Sequence, residues 1–292
     1  MKRIIISGAG GFLGTNIIKA AKKQNGLKVT AITSREICEP NASVISTEEF
    51  LSGDVHFDAD DIFINCLFPT NADGWRMADG LDKVCQTIRM AHKSGIGAFV
   101  NISSQSVYAS KRTAPADETD PLCLESSYAV GKYSMEMYTN QVFADRPHTN
   151  IRLASLIGVG YDQRIINRMV MQALKGEPLK VIGGMQRYGF LDVRDAAAGL
   201  VKLSQSDPEQ WAEVYNLGRN DSCTLLDVVQ CVRNEVMQLI GREVPSSVAE
   251  GQDDRNSAIN ASRFMEHFDW QAIYSLADTT AWIIRNKIDE VE

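Results

Sequence analysis

The sequence predicts an α/β protein built on a doubly wound parallel sheet, with a smaller, interleaved C-terminal lobe. Three observations carry that expectation. The chain opens on the apolar run Ile4-Ile5-Ile6, passes through a glycine-rich turn, and continues in a helical pattern through Ile17, Ile18 and Ala21. Strand-like apolar runs and amphipathic helical stretches then alternate through the first half, as a parallel sheet with helical crossovers requires. An apolar strand around Phe99 ends in hydroxyl side chains, Ser103 and Ser104, and is followed by a helical stretch carrying Tyr128 and Lys132.

Taken in order, Leu27 to Ile32 reads as a second strand, Val44-Ile45-Ser46 as a short third, and Ile62 to Leu67 as a longer one after Asp60-Asp61. Leu81 to His92 has Val84, Ile88 and Ala91 on one face, the spacing of an amphipathic helix. Phe99 to Ile102 is the next strand, Ser127 to Phe143 a long helix, and Thr149 to Leu153 another strand. Beyond that point the alternation weakens. Arg164 to Leu174 reads as helix, Leu179 to Ile182 as extended chain, and Leu225 to Leu239 as a helix rich in Val and Leu. No internal repeat, low-complexity tract or linker separates the halves.

Composition bounds the function. A chain of 292 residues with 44% hydrophobic content can bury a sizeable core. Its net charge of −7, with a pI near 5.3, argues against nucleic acid or an anionic membrane as the main partner. Cys38, Cys66, Cys85, Cys123, Cys223 and Cys231 form no Cys-x-x-Cys pair and read as reduced thiols in a cytoplasmic protein. The histidines, at 56, 92, 148 and 267, are scattered, so no metal site is expected. A strand beginning by residue 4 leaves no room for a signal peptide, and no apolar run reaches the ~18 residues of a membrane span.

The turn after the first strand is Ser7-Gly8-Ala9-Gly10-Gly11-Phe12-Leu13-Gly14. Glycines at 8, 11 and 14 let the backbone turn tightly and approach a pyrophosphate, whose charge a helix N-terminus favours. The spacing is Gly-x-x-Gly-x-x-Gly, and a strand-helix turn without a ligand would share it. Tyr128 and Lys132, at i and i+4, lie on one helix face. A free phenol loses its proton near pH ~10, and a neighbouring cation favours the phenolate. Such a phenol can exchange a proton with a sugar or alcohol oxygen. The same spacing is also common on surface helices that do no chemistry.

Together these segments resemble the extended short-chain dehydrogenase/reductases, in particular the NAD-dependent epimerase/dehydratase family, over nearly the whole chain. SGAGGFLG looks like the family's TGxxGxxG loop, ISSQSVYAS like its SSxxVYG segment, and YAVGK like its Tyr-x-x-x-Lys. IRLASLIGVG is similar to LRxxNVYGPG, RYGFLDVRDAAAGL to RxFIxVxDxAxA, and VYNLG to YNIG. The resemblance implies a Rossmann domain over 1–155 plus about 186–217, and a substrate-binding lobe over about 156–185 plus 218–292. It makes Ser104 the catalytic hydroxyl, Tyr128 the acid/base and Lys132 its partner. Gly8, Gly11, Phe12, Leu13, Gly14, Thr33, Ser34, Arg35, Leu67, Ser103 and Ser155 would join Tyr128 and Lys132 around the cofactor. Gln105, Asn167, Arg187 and Arg255 would line the nucleotide-sugar site, with an ion pair to Asp192 or Asp195 as the alternative for Arg187. Asp253-Asp254-Arg255 and Phe268-Asp269-Trp270 resemble the family's Arg-x-x-Asp...LGW tail, whose Arg grips a diphosphate.

Cofactor choice turns on the end of the second strand. An acidic residue there would accept from the ribose 2′-hydroxyl of NAD. Here Thr33 stands about where that residue would be, and Arg35 is placed to pair with a 2′-phosphate. NADP(H) is therefore the expected cofactor, with NAD the alternative and a solvated Arg35 beside Glu36 the bland reading. Dehydratases carry Asp-Glu after the catalytic threonine, whereas Gln105 and Ser106 follow Ser104 here, and neither is a general base near pH 7. What remains is a 4-epimerase or, slightly favoured, an NADPH-dependent 4-ketoreductase acting on a nucleotide-diphosphate sugar. A non-catalytic NADP(H)-binding sensor is the reading from a different class. Asn65-Cys66-Leu67-Phe68-Pro69 departs from the family's His-Leu-Ala-Ala and alters the wall near the nicotinamide ribose, and the family's Arg-Pro is Arg152-Leu153. Apolar residues on more than one face of the Tyr/Lys helix (Met135, Met137, Tyr138, Val142) suit a homodimer or burial within one chain.

Overall fold

A computed structural model describes residues 2–37, 42–70 and 72–290. The elements run β1 (Arg3–Ser7), α1 (Phe12–Ala21), β2 (Lys28–Thr33), β3 (Ser43–Ser46), α2 (Thr47–Ser52), β4 (Ile62–Asn65), α3 (Gly74–Lys93), β5 (Ala98–Ser104), α4 (Ser127–Val142) and β6 (His148–Leu153). They continue with β7 (Ser155–Ile157), α5 (Ile165–Leu174), β8 (Leu179–Ile182), β9 (Arg187–Tyr188), β10 (Phe190–Asp192), α6 (Val193–Gln205) and β11 (Val214–Leu217). The chain ends through β12 (Cys223–Thr224), α7 (Leu225–Ile240), β13 (Ser246–Ala249), α8 (Ser262–Phe268) and α9 (Leu276–Lys287).

Seven strands form one parallel sheet in the order β11-β6-β5-β4-β1-β2-β3. The chain therefore winds outward from β1 in one direction and returns through β4 in the other, which is the doubly wound arrangement. Helices cover both faces, so β1 and β4 are apolar throughout rather than alternating, and Ile4, Ile5, Ile6, Ile62, Phe63 and Ile64 are all buried. A row of side chains crosses the sheet at one level. Ser7 donates to Asn65 (2.7 Å), Asn65 to Asn101 (3.3 Å), Asn101 to Asn150 (2.9 Å) and Asn150 to Asn140 of α4 (2.8 Å). A one-residue slip of any of these strands would bury unpaired amides, so the row specifies register as well as cohesion.

The expected strands and the long helices recur within one or two residues of their predicted ends. α3 is the exception, starting at Gly74 rather than Leu81, because Met77 is the one buried residue of its first two turns. Absent from the sequence reading was α6, which packs against α1 and buries Val193, Ala196, Ala197, Leu200 and Leu203, while Gly199 makes room for Trp270 and Phe264. A separate core of Ile166, Val170, Val228, Val232, Ile283 and Ile284 unites α5, α7 and α9. α8, assigned by the sequence division to the second lobe, places Phe264 and Phe268 in the first core with Trp270. No helix of the described residues is long and apolar enough to cross a membrane.

Candidate active site

The glycine turn lies at the point where strand order reverses, between β1 and β4. Gly8 has a φ of +66°, and a Cβ there would lie 2.9 Å from the Leu67 backbone nitrogen. A Cβ on Gly14 would lie 2.5 Å from the Gly8 carbonyl oxygen. Gly11 N–H donates to that same oxygen at 2.9 Å. Gly11, the residue before α1, offers no side-chain cap, whereas Ser126, Thr224 and Ser275 cap α4, α7 and α9 while α3, α5 and α8 are also uncapped. The first N–H groups of α1, from Phe12, Leu13 and Gly14, therefore suit an anion. A backbone this bare, closing on the sheet's crevice, fits a dinucleotide pyrophosphate.

The end of β2 borders the same turn. A Cβ on Gly10 would sit 2.9 Å from Thr33 Oγ1 and 3.1 Å from Arg35 Cβ. Thr33 Oγ1 accepts from the Arg35 N–H at 2.9 Å, which folds the chain so that Ser34 and Arg35 are exposed. Among the described residues no carboxylate pairs with Arg35.

Ser126 caps α4 by accepting from the Ala129 N–H, and this places Tyr128 and Lys132 facing the end of β5. The Tyr128 phenol faces the Ser104 side chain, and Ser104 Oγ accepts from the Ser106 N–H at 3.2 Å. Lys132 Nζ donates to the Ile102 carbonyl at 2.8 Å. The structure thus joins Ser104, Tyr128 and Lys132 in one cluster, with Phe68 above it. The electrostatics differ from the expected picture. Burial pushes the Tyr128 phenol above its ordinary value, opposed by the Ser104 side chain and the charge of Arg164. Burial also pulls Lys132 down to about 7, against the charges of Cys66 and Glu136. The cation acting on the phenol here is Arg164, because Lys132 is too desolvated to hold its charge firmly.

Beneath this cluster lies a buried network that the sequence reading did not foresee. Arg152 donates Nε and Nη2 to Glu136, with Nη2 at 2.8 Å, and Nη1 to the Tyr108 hydroxyl at 3.0 Å. Burial alone would lower Arg152, but its hydrogen bonds to Glu136 and the charge of that residue hold it well above its usual range. Ser103, expected beside the cofactor, gives its hydroxyl to Glu136 instead. Cys66 is half-buried, and desolvation pushes its thiol up to about 12, so it is unreactive. Of the cysteines, Cys38 lies outside the described residues, and the other five are free thiols.

In the second lobe Asn167 is buried and donates to the Gly158 carbonyl at 3.0 Å, while its Oδ1 has no partner among the described residues. Ser155 opens β7 and is partly exposed, its N–H bonded to Gly189 O at 3.1 Å. Arg187 and Arg255 lie together, the Arg187 N–H donating to the Arg255 carbonyl at 2.8 Å. The Arg187 guanidinium reaches Ser222 at 3.3 Å rather than Asp192, which pairs with Arg194, or Asp195, which accepts from Ile273 and Tyr274. Arg255 is engaged by Asp253 through Nε at 2.9 Å. Gln105 accepts from Arg112 at 3.3 Å. The sequence reading missed Arg164 as a site residue, and named Phe68 only within a segment that departs from the family, without its contact to Lys132. Arg164, exposed, stacks on the Tyr161 ring at 4.6 Å, and Tyr161 meets Phe12 of the turn at 4.8 Å. Phe68 covers Lys132. Neither position belongs to a motif that spacing could reveal.

An anion-ready turn at the switch point of a parallel sheet, with a serine, tyrosine and lysine clustered beside it, is the arrangement of the short-chain dehydrogenase/reductase class. Residues 4–218 match the model of the NAD dependent epimerase/dehydratase family, and the chain belongs to that family. It is similar to UDP-glucuronic acid decarboxylase 1 of Danio rerio, 25% identical over 278 residues, covering 87% of this chain and 64% of that protein. It is 26% identical over 206 residues to dTDP-glucose 4,6-dehydratase of Xanthomonas campestris, covering 65% of this chain and 58% of that one. The chain thus spans less than two thirds of the length of either relative. Among solved structures, UDP-glucose 4-epimerase of Thermotoga maritima has a TM-score of 0.82 at 18% identity, covering 99% of this chain and 100% of that one.

Proposed function

We propose that this protein catalyses hydride transfer at a carbonyl or carbinol carbon, C4, of a nucleotide-diphosphate sugar. The observation that carries the reading is the grouping of Ser104, Tyr128 and Lys132 at the C-terminal end of β5, beside the glycine turn. The turn and the α1 N-terminus would hold the dinucleotide through Gly8, Gly11, Phe12, Leu13 and Gly14, and the bound nicotinamide supplies or accepts the hydride. Ser104 orients the substrate oxygen. Tyr128 gives that oxygen its proton in reduction and takes it back in oxidation. Phe68 and Leu67 exclude water from the pair. Asn167, Arg187 and Arg255 supply an amide and two guanidinium groups for the nucleotide diphosphate, and Arg164 stands nearest the reacting phenol. The names of the relatives, which share nucleotide-sugar substrates, support that class.

Gln105, a neutral amide bonded to Arg112, replaces the acid that a dehydratase needs after the catalytic hydroxyl. The first reading is an NADPH-dependent 4-ketoreductase, supported by Thr33 and the unpaired Arg35 at the end of β2. The second is a 4-epimerase using NAD, favoured by the family's NAD dependence and by the Thermotoga maritima structure. Val130 and Met137, apolar yet exposed on the outer face of α4, support a homodimer.

The test is a screen of nucleotide sugars and their 4-keto forms with NADPH and NADH, run on wild type and Tyr128→Phe. Net oxidation of NADPH identifies the reductase, and sugar interconversion without net oxidation identifies the epimerase. Tyr128→Phe should keep cofactor binding and lose about 10²- to 10⁴-fold in turnover. Cofactor binding with no turnover by wild type would leave a dinucleotide sensor. Arg35→Ala should weaken NADPH more than NADH, and equal losses would remove the case for NADP.

A further inference from the structure

Phe68 stands at the centre of the Tyr128–Lys132 cluster. Its ring centroid lies 3.9 Å from Lys132 Nζ, and its ring meets that of Tyr128 edge to face at 5.2 Å and 80°. The chain on either side of it is clamped. A Cβ on Gly8 would strike the Leu67 backbone nitrogen at 2.9 Å, and one on Gly80 of α3 would strike Pro69 Cβ at 2.5 Å. Below the ring, a Cβ on Gly131 would sit 3.2 Å from Phe68 Cζ. Glycines on the turn, on α3 and on α4 thus make room for residues 67–69 and leave the ring little freedom.

What the ring covers is a buried ammonium with few partners. Among the described residues Lys132 Nζ has one hydrogen bond, to Ile102 O at 2.8 Å, and no ion pair. The titratable groups around it are Cys66 from the end of β4, Tyr128 one turn earlier and Glu136 one turn later, the last already paired with Arg152. The ring face touches the amine and shuts water out, and this loss of solvation outweighs the ring's attraction for the charge.

We propose that Phe68 is a positioning residue of this pair: its face holds the Lys132 ammonium against the Ile102 carbonyl and keeps water from it, while its edge orients the Tyr128 ring. The inference rests on reading Tyr128 and Lys132 as the working pair, but its first test needs no substrate. Protein labelled with ¹³C at lysine Cε is titrated from about pH 5 to pH 10, with Lys132 assigned by its loss in Lys132→Arg. The wild-type midpoint falls near 7. In Phe68→Leu, water reaches the amine and the midpoint rises by about one pH unit or more. Phe68→Trp, which keeps a ring face, restores the wild-type midpoint. Phe68→Met replaces the leucine variant if circular dichroism shows that variant unfolded. A midpoint unchanged in the ringless variant, or shifted equally in the tryptophan variant, overturns the proposal. With substrate, the pH dependence of kcat should shift in parallel with the lysine, and a shifted lysine with an unmoved rate profile reduces Phe68 to packing. A Tyr128→Phe enzyme of undiminished turnover would instead defeat the reading of the pair and leave the lysine titration standing.

Discussion

Two bidentate arginine–carboxylate pairs, chemically alike, sit in opposite surroundings. Arg152 and Glu136 are 7% and 4% exposed between α4 and β6, whereas Arg255 and Asp253 in the second lobe are 64% and 19% exposed. The buried pair has no water to fall back on and has recruited Tyr108 and Ser103 to complete it. Because Glu136 lies one turn beyond Lys132, the pair also fixes α4 against β5 and β6, and so sets the height of Tyr128 over Ser104. The exposed pair holds its guanidinium in place with little stabilisation, and can trade its carboxylate for a phosphate. The same fork serves as a structural bolt in one place and, on the proposed function, as a receptor for a substrate phosphate in the other.

The largest effect follows from breaking the bolt. Arg152→Leu leaves Glu136 charged and unpaired in the core, which should cost about 3–5 kcal/mol in urea denaturation. Replacing both residues by leucine should recover much of that loss, because the penalty belongs to the stranded charge rather than to the missing contact. A single variant that loses under about 1 kcal/mol would show that water enters the network, and would erase the contrast between the pairs.

Lys132 sharpens the comparison, being a buried cation with a ring where Arg152 has a carboxylate. Its folded value, about 7, lies below the ordinary 10.5, so from about 7 to 10.5 the unfolded chain holds a proton that the folded chain does not. Stability must then rise with pH across that window, and the full burden of the buried charge is felt below it. Thermal melts of wild type and Lys132→Met should show the variant's relative gain greatest near pH 6 and shrinking toward pH 9. A difference independent of pH would mean that Lys132 keeps its proton throughout.

The bolt and the receptor were not equally legible in the sequence. The sheet was legible because buried parallel strands are apolar throughout and the glycine turn has a fixed spacing between strand and helix. Ser104, Tyr128 and Lys132 were legible because short spacings on one strand end and one helix face survive folding unchanged. The Arg152–Glu136 pair was not, since its members lie on different elements and only topology brings them together; Ser103, expected beside the cofactor, was captured by it for the same reason. Arg164, and the contact of Phe68 with Lys132, escaped because an arginine before a helix or an aromatic after a strand has no pattern that points it at a phenol or an ammonium. The expected acidification of Tyr128 by Lys132 failed on burial, which spacing does not report.

The smallest change in stability, and the sharpest in function, belongs to Arg255. Its loss in Arg255→Ala removes an exposed pair worth about 0–1 kcal/mol, so melting should hardly move. If the guanidinium trades Asp253 for a substrate diphosphate, that variant should raise KM for a nucleotide sugar about tenfold or more while cofactor affinity stays constant. Asp253→Asn tests the trade from the other side. It leaves the arginine uncommitted, so KM should fall or hold, and the gain should fade as salt screens the exposed charge. A fall in cofactor affinity in Arg255→Ala would place that arginine on the wrong ligand, and a rise in KM for Asp253→Asn would make the carboxylate an orienting partner rather than a competitor.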